Sequence, residues 1–274
     1  MSDSPINKRI GFIGAGQMAK AMAAGFIGKG LVSAESVCFF DPNQNAREDF
    51  ASATGGRALS SNQDVIAQSE IIFLAIKPQF YPDIVAEIGS GFPADKILVS
   101  IVAGMNLGTL SVDFQSRKTI RVMPNTPGLI GQGASGICCN DGVTDDENTL
   151  IVSLLEANGI VCQVTDPQID MVTGVSGSGP AFVFTFIEAL IDGGVNVGLP
   201  RATARQLAIE TVIGSAELVK QSGDHPGVLR DQVTSPGGTT IAGMQALEES
   251  GFRAAVMLAV EAATLRAREL GEND

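Results

Sequence analysis

Apolar residues fall along the chain in two regimes. As far as about residue 164, short apolar runs recur with almost no alternation: Lys8–Ile13, Ser36–Phe40, Glu70–Ile76, Ile97–Ile101, Thr119–Val122 and Ile160–Val164. A strand apolar on both faces belongs to a parallel sheet covered by helices on both sides. Helical patterns separate these runs: an Ala-rich stretch ending near Gly28, then Asn45–Ala53, Asn62–Gln68, Pro82–Ile88 and Thr144–Ala157. Gly56–Leu59 reads as a short strand and Gly131–Cys139 as an edge strand. The pattern changes at Thr165-Asp166-Pro167, after which no run reads as a strand. A short helix over Gln168–Thr173 precedes one over Ala181–Ile191, where Phe182, Phe186 and Leu190 recur every four residues among other apolar positions. A helix apolar nearly all round is buried. One small domain cannot enclose it, so a second subunit is expected to cover it. An amphipathic helix follows Gly198-Leu-Pro200, with Ile209, Val212, Ile213, Ala216 and Val219 on its stripe. Asp224-His225-Pro226 opens a short helix by the Asx-then-Pro rule. The next helix begins near Thr240, and the last runs from Gly251 to about Leu270. The predicted class is α/β: a doubly wound sheet over residues 1–165, then an all-helical domain over residues 166–274.

Composition narrows this picture without changing it. A chain of 274 residues, 45% apolar and with 32 glycines, has length for one large or two ordinary domains. A net charge of −12 argues against a nucleic-acid partner. Cys38, Cys138, Cys139 and Cys162 match no zinc or disulfide spacing, and reduced structural thiols in a cytoplasmic protein are expected. MSDSPINKR has no long apolar segment, so no signal or transit peptide is expected. The apolar helix Ala181–Ile191 carries Glu188 and reads as too short to span a bilayer.

Two stretches carry chemistry. The first strand runs into Gly14-Ala15-Gly16-Gln17-Met18-Ala19 and then a helix, which is G-x-G-x-x-A in the strand–turn–helix setting of a Rossmann-type dinucleotide site. Gly14 permits the tight turn, Gly16 lets the backbone approach a pyrophosphate, and Ala19 allows close packing of helix on sheet. A tight βα turn without ligand is the other reading. Asp41 ends the second strand 22 residues after Ala19, where a carboxylate accepts from a ribose 2′-hydroxyl and repels a 2′-phosphate. The competing reading is an ordinary Asp-Pro turn. Lys77 is either a solvated strand-end lysine or part of the ligand rim beyond the strand ends. Asn125 and Thr126 sit between two prolines on that same rim.

The second stretch is Val233-Thr-Ser-Pro-Gly-Gly-Thr-Thr-Ile-Ala-Gly243. Hydroxyls and bare backbone N–H groups lead there into a helix N-terminus, a ready anion site. The plain alternative is a helix cap. His225 is the only histidine, and neither a metal cluster nor a Ser-His-Asp set is present. A reaction that needs a strong general base is thereby disfavoured. Reduction of a C=N bond in the cleft between the two domains fits better, because a protonated imine accepts hydride with little help beyond positioning.

Five segments resemble pyrroline-5-carboxylate reductase: Gly11-Phe-Ile-Gly-Ala-Gly-Gln-Met18, Ala75-Ile-Lys-Pro78, Arg121-Val-Met-Pro-Asn-Thr-Pro127, Val172-Thr-Gly-Val-Ser-Gly-Ser-Gly-Pro-Ala181 and Asp231-Gln-Val-Thr-Ser-Pro-Gly-Gly-Thr-Thr-Ile241. The resemblance runs from about residue 9 to 271. It implies reduction of 1-pyrroline-5-carboxylate to L-proline by NADPH or NADH, the last step of proline biosynthesis, in a cytoplasmic homodimer that assembles further, to a decamer in much of the family. It implies that Gly14, Ala15, Gly16, Gln17 and Met18 hold the pyrophosphate and that Asn62 lies near the adenosine ribose. By the same resemblance Ala75, Ile76, Lys77, Pro78 and Ala103 line the nicotinamide side, and Gln232 is also near the cofactor. Ser235, Gly238 and Thr239 are implied to hold the substrate carboxylate, and Thr240 to bond the ring nitrogen; no metal is implied. Where Asp41 stands, family members often have Ser, Thr or Asn, which bears on NADH against NADPH. Two other readings stand beside this one. A β-hydroxyacid dehydrogenase or general imine reductase needs a Lys or Asp in the helical half, where Lys220 is the lysine present. A nucleotide-binding sensor would bind cofactor without turnover.

Overall fold

The computed structural model describes residues 6–272, which fall into two compact units. One holds the residues up to Ser178 together with those from Ala262 onward; the other is Gly179–Glu261.

The first unit is built on a sheet in the order β3-β2-β1-β4-β5-β6-β7-β8. Its strands are β1 (Ile10–Ile13), β2 (Val37–Phe40), β3 (Arg57–Ala58), β4 (Ile71–Leu74), β5 (Ile97–Ser100), β6 (Lys118–Met123), β7 (Gly133–Cys139) and β8 (Gly159–Gln163). All neighbours pair in parallel except β6 with β7. The chain winds outward from β1 through β2 to β3, then crosses back to place β4 on the other side of β1. This reversal of strand order opens a crevice at the carboxyl ends of β1 and β4.

Helices α1 (Gln17–Gly28), α2 (Gln44–Thr54), α3 (Asn62–Gln68), α4 (Tyr81–Ile88), α5 (Leu107–Asp113) and α6 (Asp145–Leu155) connect the strands. The unbroken apolar runs have their cause in two cores. Phe12, Phe73 and Val99 point to one face, while Ile13, Ile72, Leu74 and Leu98 point to the other, as a period of two requires. On the first face α1 lays down Ala19, Met22, Ala23 and Phe26, one helical stripe. The Phe12 and Phe73 rings stack with centroids 5.0 Å apart, and Phe39 meets Phe50 at 4.1 Å. On the second face Val65, Ile66, Tyr81 and Ile88 come from α3 and α4.

Local sequence sets the helix ends. Asn43 caps α2 by accepting from the N–H groups of Asn45 and Ala46, and Thr144 with Glu147 forms a capping box on α6. The last cap of this kind differs from expectation. His225, not Asp224, caps the short helix after it, with Nδ1 accepting from Gly227 N–H at 3.1 Å.

Two other expectations change. Residues 133–139 do not form an edge: β7 is interior, paired antiparallel to β6 and parallel to β8. The turn at Thr126–Ile130 is too short for a crossover, so the chain folds straight back beside β6. The edge is therefore β8, which leaves Cys162 exposed while Cys38 and Cys138 are buried. Helix α5 is an addition to the expected elements. Its apolar positions are too few to show a period, and it rests on the Asn106 cap, which accepts from Thr109 N–H at 2.8 Å.

The second unit is helical: α8 (Gly179–Asn196), α9 (Arg201–Ser222), α10 (Pro226–Gln232), α11 (Thr239–Glu249) and the first turns of α12 (Phe252–Glu272). Here α8 and α9 approach closely over small residues, since a Cβ on Gly194 would lie 3.0 Å from that of Ala204. The Phe186 and Phe252 rings lie 5.8 Å apart. No residue of α8 is buried, although it is the most apolar helix, and Phe184 is 62% exposed.

The expectation that this helix is too short to span a bilayer is overturned. From α7 (Asp166–Val172) through a π-helical turn at Thr173–Gly177 into α8, residues 166–196 run on as one 31-residue helix, long and apolar enough by length and composition to cross a membrane. Ser178 N–H closes the π turn on Thr173 O at 2.8 Å.

Candidate functional site

At the carboxyl ends of β1, β2 and β4 lies a cavity of about 600 Å³. Ile13 and Gly14 form its floor where β1 ends, Phe40 and Asp41 one wall, and Ala75, Ile76 and Lys77 the wall beyond β4. Gly14 has φ +94°, and a Cβ there would stand 2.5 Å from the Ala75 carbonyl oxygen. No other residue lets the chain turn so close to β4. Gly16 differs in kind: its φ is −67°, and a Cβ there would meet no protein atom within 4 Å. Its bareness serves the space in front of it. Gly16 also caps α1 with no side chain bonded to the helix N–H groups, so these face the cavity unblocked.

Asp41 is tied into this turn. Its Oδ2 accepts from Ala15 N–H at 2.8 Å and its Oδ1 from Asn43 N–H at 2.8 Å. Arg47 Nη1 donates to the carbonyls of Asp41 and Pro42. The carboxylate thus fixes the glycine turn as well as lining the cavity.

Asn62 opens α3 and is 3% exposed, yet lines the same cavity. Its Nδ2 donates to Glu87 Oε2 at 2.8 Å. Residues that sequence reasoning missed complete the wall: Phe80, Asp83, Ile84 and Glu87. Their spacing of i, i+3, i+4 and i+7 puts them on one helical face, but nothing in that spacing says which cavity the face meets.

The structure therefore gathers Gly14, Gly16, Asp41, Asn62, Ala75, Ile76 and Lys77 around one cavity, with Ala15 bonded to its wall. Gln17 is exposed on the first turn of α1, and Met18 packs against the first core. Pro78 begins the turn that leads into α4. Ala103 is not among the lining residues; it packs on the small cluster of Met123, Cys138 and Ile169.

That cluster adjoins a buried charge group the sequence reading also passed over. Arg121, 2% exposed, donates to Asp166 Oδ1 at 2.8 Å and to Asp170 Oδ1 at 2.7 Å, while Asp166 Oδ2 accepts from Leu107 N–H. Nearby, burial first and the Asp166 carboxylate second push the Cys138 thiol up to about 12, which makes it inert as a nucleophile. On the rim, Asn125 bridges two segments: its Nδ2 donates to Ser176 O and its Oδ1 accepts from Ala134 N–H.

In the second unit the predicted substrate stretch lies exposed at the start of α11. Gly237 has φ +67°, and the following Gly238 caps the helix with no side-chain bond. A Cβ on Gly238 would stand 2.3 Å from Ser235 Oγ. The Ser235 hydroxyl is thus folded over the glycine toward the helix start. Hydroxyl, bare turn and free first-turn N–H groups converge as an anion site requires. Thr239 and Thr240 occupy the first two helical positions, and Gln232 ends α10. Lys220 stands in the last turn of α9 with its side chain 67% exposed, a solvated helix-end lysine.

Known proteins are similar to this chain over nearly its whole length. A family model described as pyrroline-5-carboxylate reductase dimerisation matches residues 166–270, and one described as NADP oxidoreductase coenzyme F420-dependent matches residues 9–104. A pyrroline-5-carboxylate reductase of Arabidopsis thaliana is 42% identical over 97% of this chain and 96% of its own. One of Synechocystis is 43% identical over 96% of this chain and 98% of its own. Among solved structures, a pyrroline carboxylate reductase of Plasmodium falciparum with NADP bound superposes with a TM-score of 0.89 at 34% identity, covering 98% of this chain and 100% of that one.

Proposed function

The chain belongs to the pyrroline-5-carboxylate reductase family and reduces 1-pyrroline-5-carboxylate to L-proline with NAD(P)H; from that premise we propose a role for each part of it. Residues 1–165 are assigned as the dinucleotide-binding domain and residues 166–274 as the dimerisation and substrate domain. The cavity at the strand-order reversal carries the reading. Its floor is a glycine turn that no side chain obstructs, and a nearly buried Asn62 faces it.

In this assignment the N–H groups of the Gly14–Met18 turn hold the pyrophosphate. Asp41 and Asn62 hold the adenosine ribose, and Ala75, Ile76, Lys77, Pro78 and Ala103 flank the nicotinamide, with Gln232 also near the cofactor. When bound, the reduced nicotinamide supplies the hydride that adds to the C=N carbon. Ser235, Gly238 and Thr239 hold the substrate carboxylate at the α11 N-terminus, and the Thr240 hydroxyl bonds the ring nitrogen. A protonated imine already carries the proton that its product keeps on nitrogen, so orientation suffices and no strong base is required. The zwitterionic substrate also needs no basic funnel on an acidic protein.

The apolar α8 is covered by a second copy of this chain, a reading supported by its exposure here and by the dimerisation match over the same residues. Assembly to a decamer is the further step the family resemblance implies. The four free thiols fit a cytoplasmic enzyme.

The test follows NADH and NADPH oxidation by absorbance, with and without 1-pyrroline-5-carboxylate. Substrate-dependent oxidation is expected; a folded protein that binds cofactor but turns nothing over would instead be a sensor. In the same assay Asp41→Ser is expected to raise the NADPH/NADH ratio of kcat/KM, and an unchanged ratio would remove Asp41 from cofactor choice. Because Asp41 also holds Ala15 N–H, the KM for NADH should rise in this variant. Thr240→Val is expected to lower kcat about ten- to a hundredfold, since a hydrogen bond to a charged group such as the iminium N–H is worth roughly 1.5–3 kcal/mol. A loss of many thousandfold in a folded variant would mean that Thr240 does more than orient.

A further inference from the structure

Asn62 can present either end of its amide to the cavity, and only its neighbour decides which. A carboxylate accepts and cannot donate, so Glu87 Oε2, 2.8 Å away, fixes the NH₂ end toward itself. The carbonyl end, Oδ1, is left over. Among the described residues no group donates to it, although Asn62 is 3% exposed. Asn62 lines the cavity, and its Oδ1 is not one of the atoms sealed away without a partner, so it meets the open space of the cavity, where a ligand donor can take the place of water.

We propose that Glu87, reaching from α4 to the buried Asn62, is a positioning residue that selects a ribose with a free 2′-hydroxyl, NADH rather than NADPH, by locking the Asn62 amide with its acceptor toward the nucleotide. This rests on the reading of the cavity as the dinucleotide site. A ribose hydroxyl donates to Oδ1. A 2′-phosphate has only acceptors to offer, so it meets an acceptor at Asn62 and a carboxylate behind it. The rest of the wall acts in the same sense. Asp41, Asp83 and Glu87 are three carboxylates among the lining residues, against Lys77 as the one cation. Arg47 is not among the lining residues; its Nη1 donates to the carbonyls of Asp41 and Pro42, so its charge stands behind that wall and reduces the acidic surplus without reversing it.

Glu87 is distinct from Asp41 in how it acts. Asp41 touches the turn itself, and its loss disturbs the turn along with the choice of cofactor. Glu87 touches only the side chain of Asn62 among the hydrogen bonds described, so its loss should change the choice and leave the turn intact. In Glu87→Gln the charge goes, and the amide pair can reverse: the substituted side chain donates to Asn62 Oδ1, and the Asn62 NH₂ turns to the cavity.

The experiment compares adenosine 2′,5′-bisphosphate with adenosine 5′-monophosphate by calorimetric titration of the full chain, in the wild type, Glu87→Gln and Glu87→Asp. In Glu87→Gln the affinity ratio is expected to move about tenfold toward the bisphosphate, the scale of one unit charge near a partly solvated anion. Glu87→Asp, which keeps the charge, is expected to stay near the wild-type ratio. The NADPH/NADH ratio of kcat/KM should follow the same order. Both nucleotides weakening equally in Glu87→Gln, or a ratio that does not move, would overturn the proposal and show a merely structural contact. Should the wild type bind neither nucleotide nor NADH, the reading of the cavity fails first, and the proposal with it.

Discussion

Gly14→Ala is expected to weaken NADH binding by about a hundredfold and to lower the thermal midpoint as well. A non-glycine residue held at a positive φ costs of order 1–3 kcal/mol, and at +94° Gly14 lies well inside that region. The new Cβ also arrives 2.5 Å from the Ala75 carbonyl oxygen, a backbone atom of the chain leaving β4 that no rotamer change can withdraw. The turn must move off β4. Its movement pulls on Gly14 N–H, which donates to Phe40 O at 2.8 Å, and on Ala15 N–H, which donates to Asp41. Gly16→Ala is the control two residues on. Its Cβ meets no protein atom within 4 Å and its φ is ordinary, so the thermal midpoint should hold while the KM for NADH rises. Calorimetry of the unliganded variants separates the two effects. If Gly14→Ala binds NADH like the wild type, the turn does not shape the cofactor site; if Gly16→Ala does, the space before Gly16 is not where the pyrophosphate lies.

Arg121→Ala is expected to cost about 3–5 kcal/mol of stability, the usual loss when one partner of a buried ion group is removed. The guanidinium is 2% exposed and separates two carboxylates that stand one helical turn apart on α7. Without it, Asp166 and Asp170 lose the cation held between them, and α7 loses its bond to β6. For a unit of this size the thermal midpoint should fall by about ten degrees. The triple variant Arg121→Met, Asp166→Asn, Asp170→Asn tests the cause. It removes the charges together, leaves an amide oxygen at position 166 to accept from Leu107 N–H, and should recover most of the loss. No recovery would mean that packing of the arginine stem, not charge, holds α7 in place.

Much of this molecule was written locally. The strand runs, the Gly14–Ala19 turn and the helix opening after Gly238 each depend on residues within a few positions of one another, and period and turn chemistry are read at that range. The parallel sheet followed from runs apolar on both faces, which the two cores explain. What depended on distant partners was not legible. Asp83 and Glu87 look like solvated charges on a short helix until the sheet brings α4 beside Asn62, 25 positions earlier. Arg121 reads as one polar interruption of a strand until α7 supplies two carboxylates 45 and 49 positions later. Strand order and direction escaped for the same reason: β7 has the pattern of an edge strand, and only its pairing on both sides shows otherwise. The sequence alone therefore determined most of the elements, the glycine turn and the bare helix start after Gly238, because those are settled by backbone sterics and hydrogen bonding between near neighbours. The tertiary structure decided which charges meet, which amide end faces the cavity and where the sheet ends, because those are settled by burial and by contacts that only the folded chain creates.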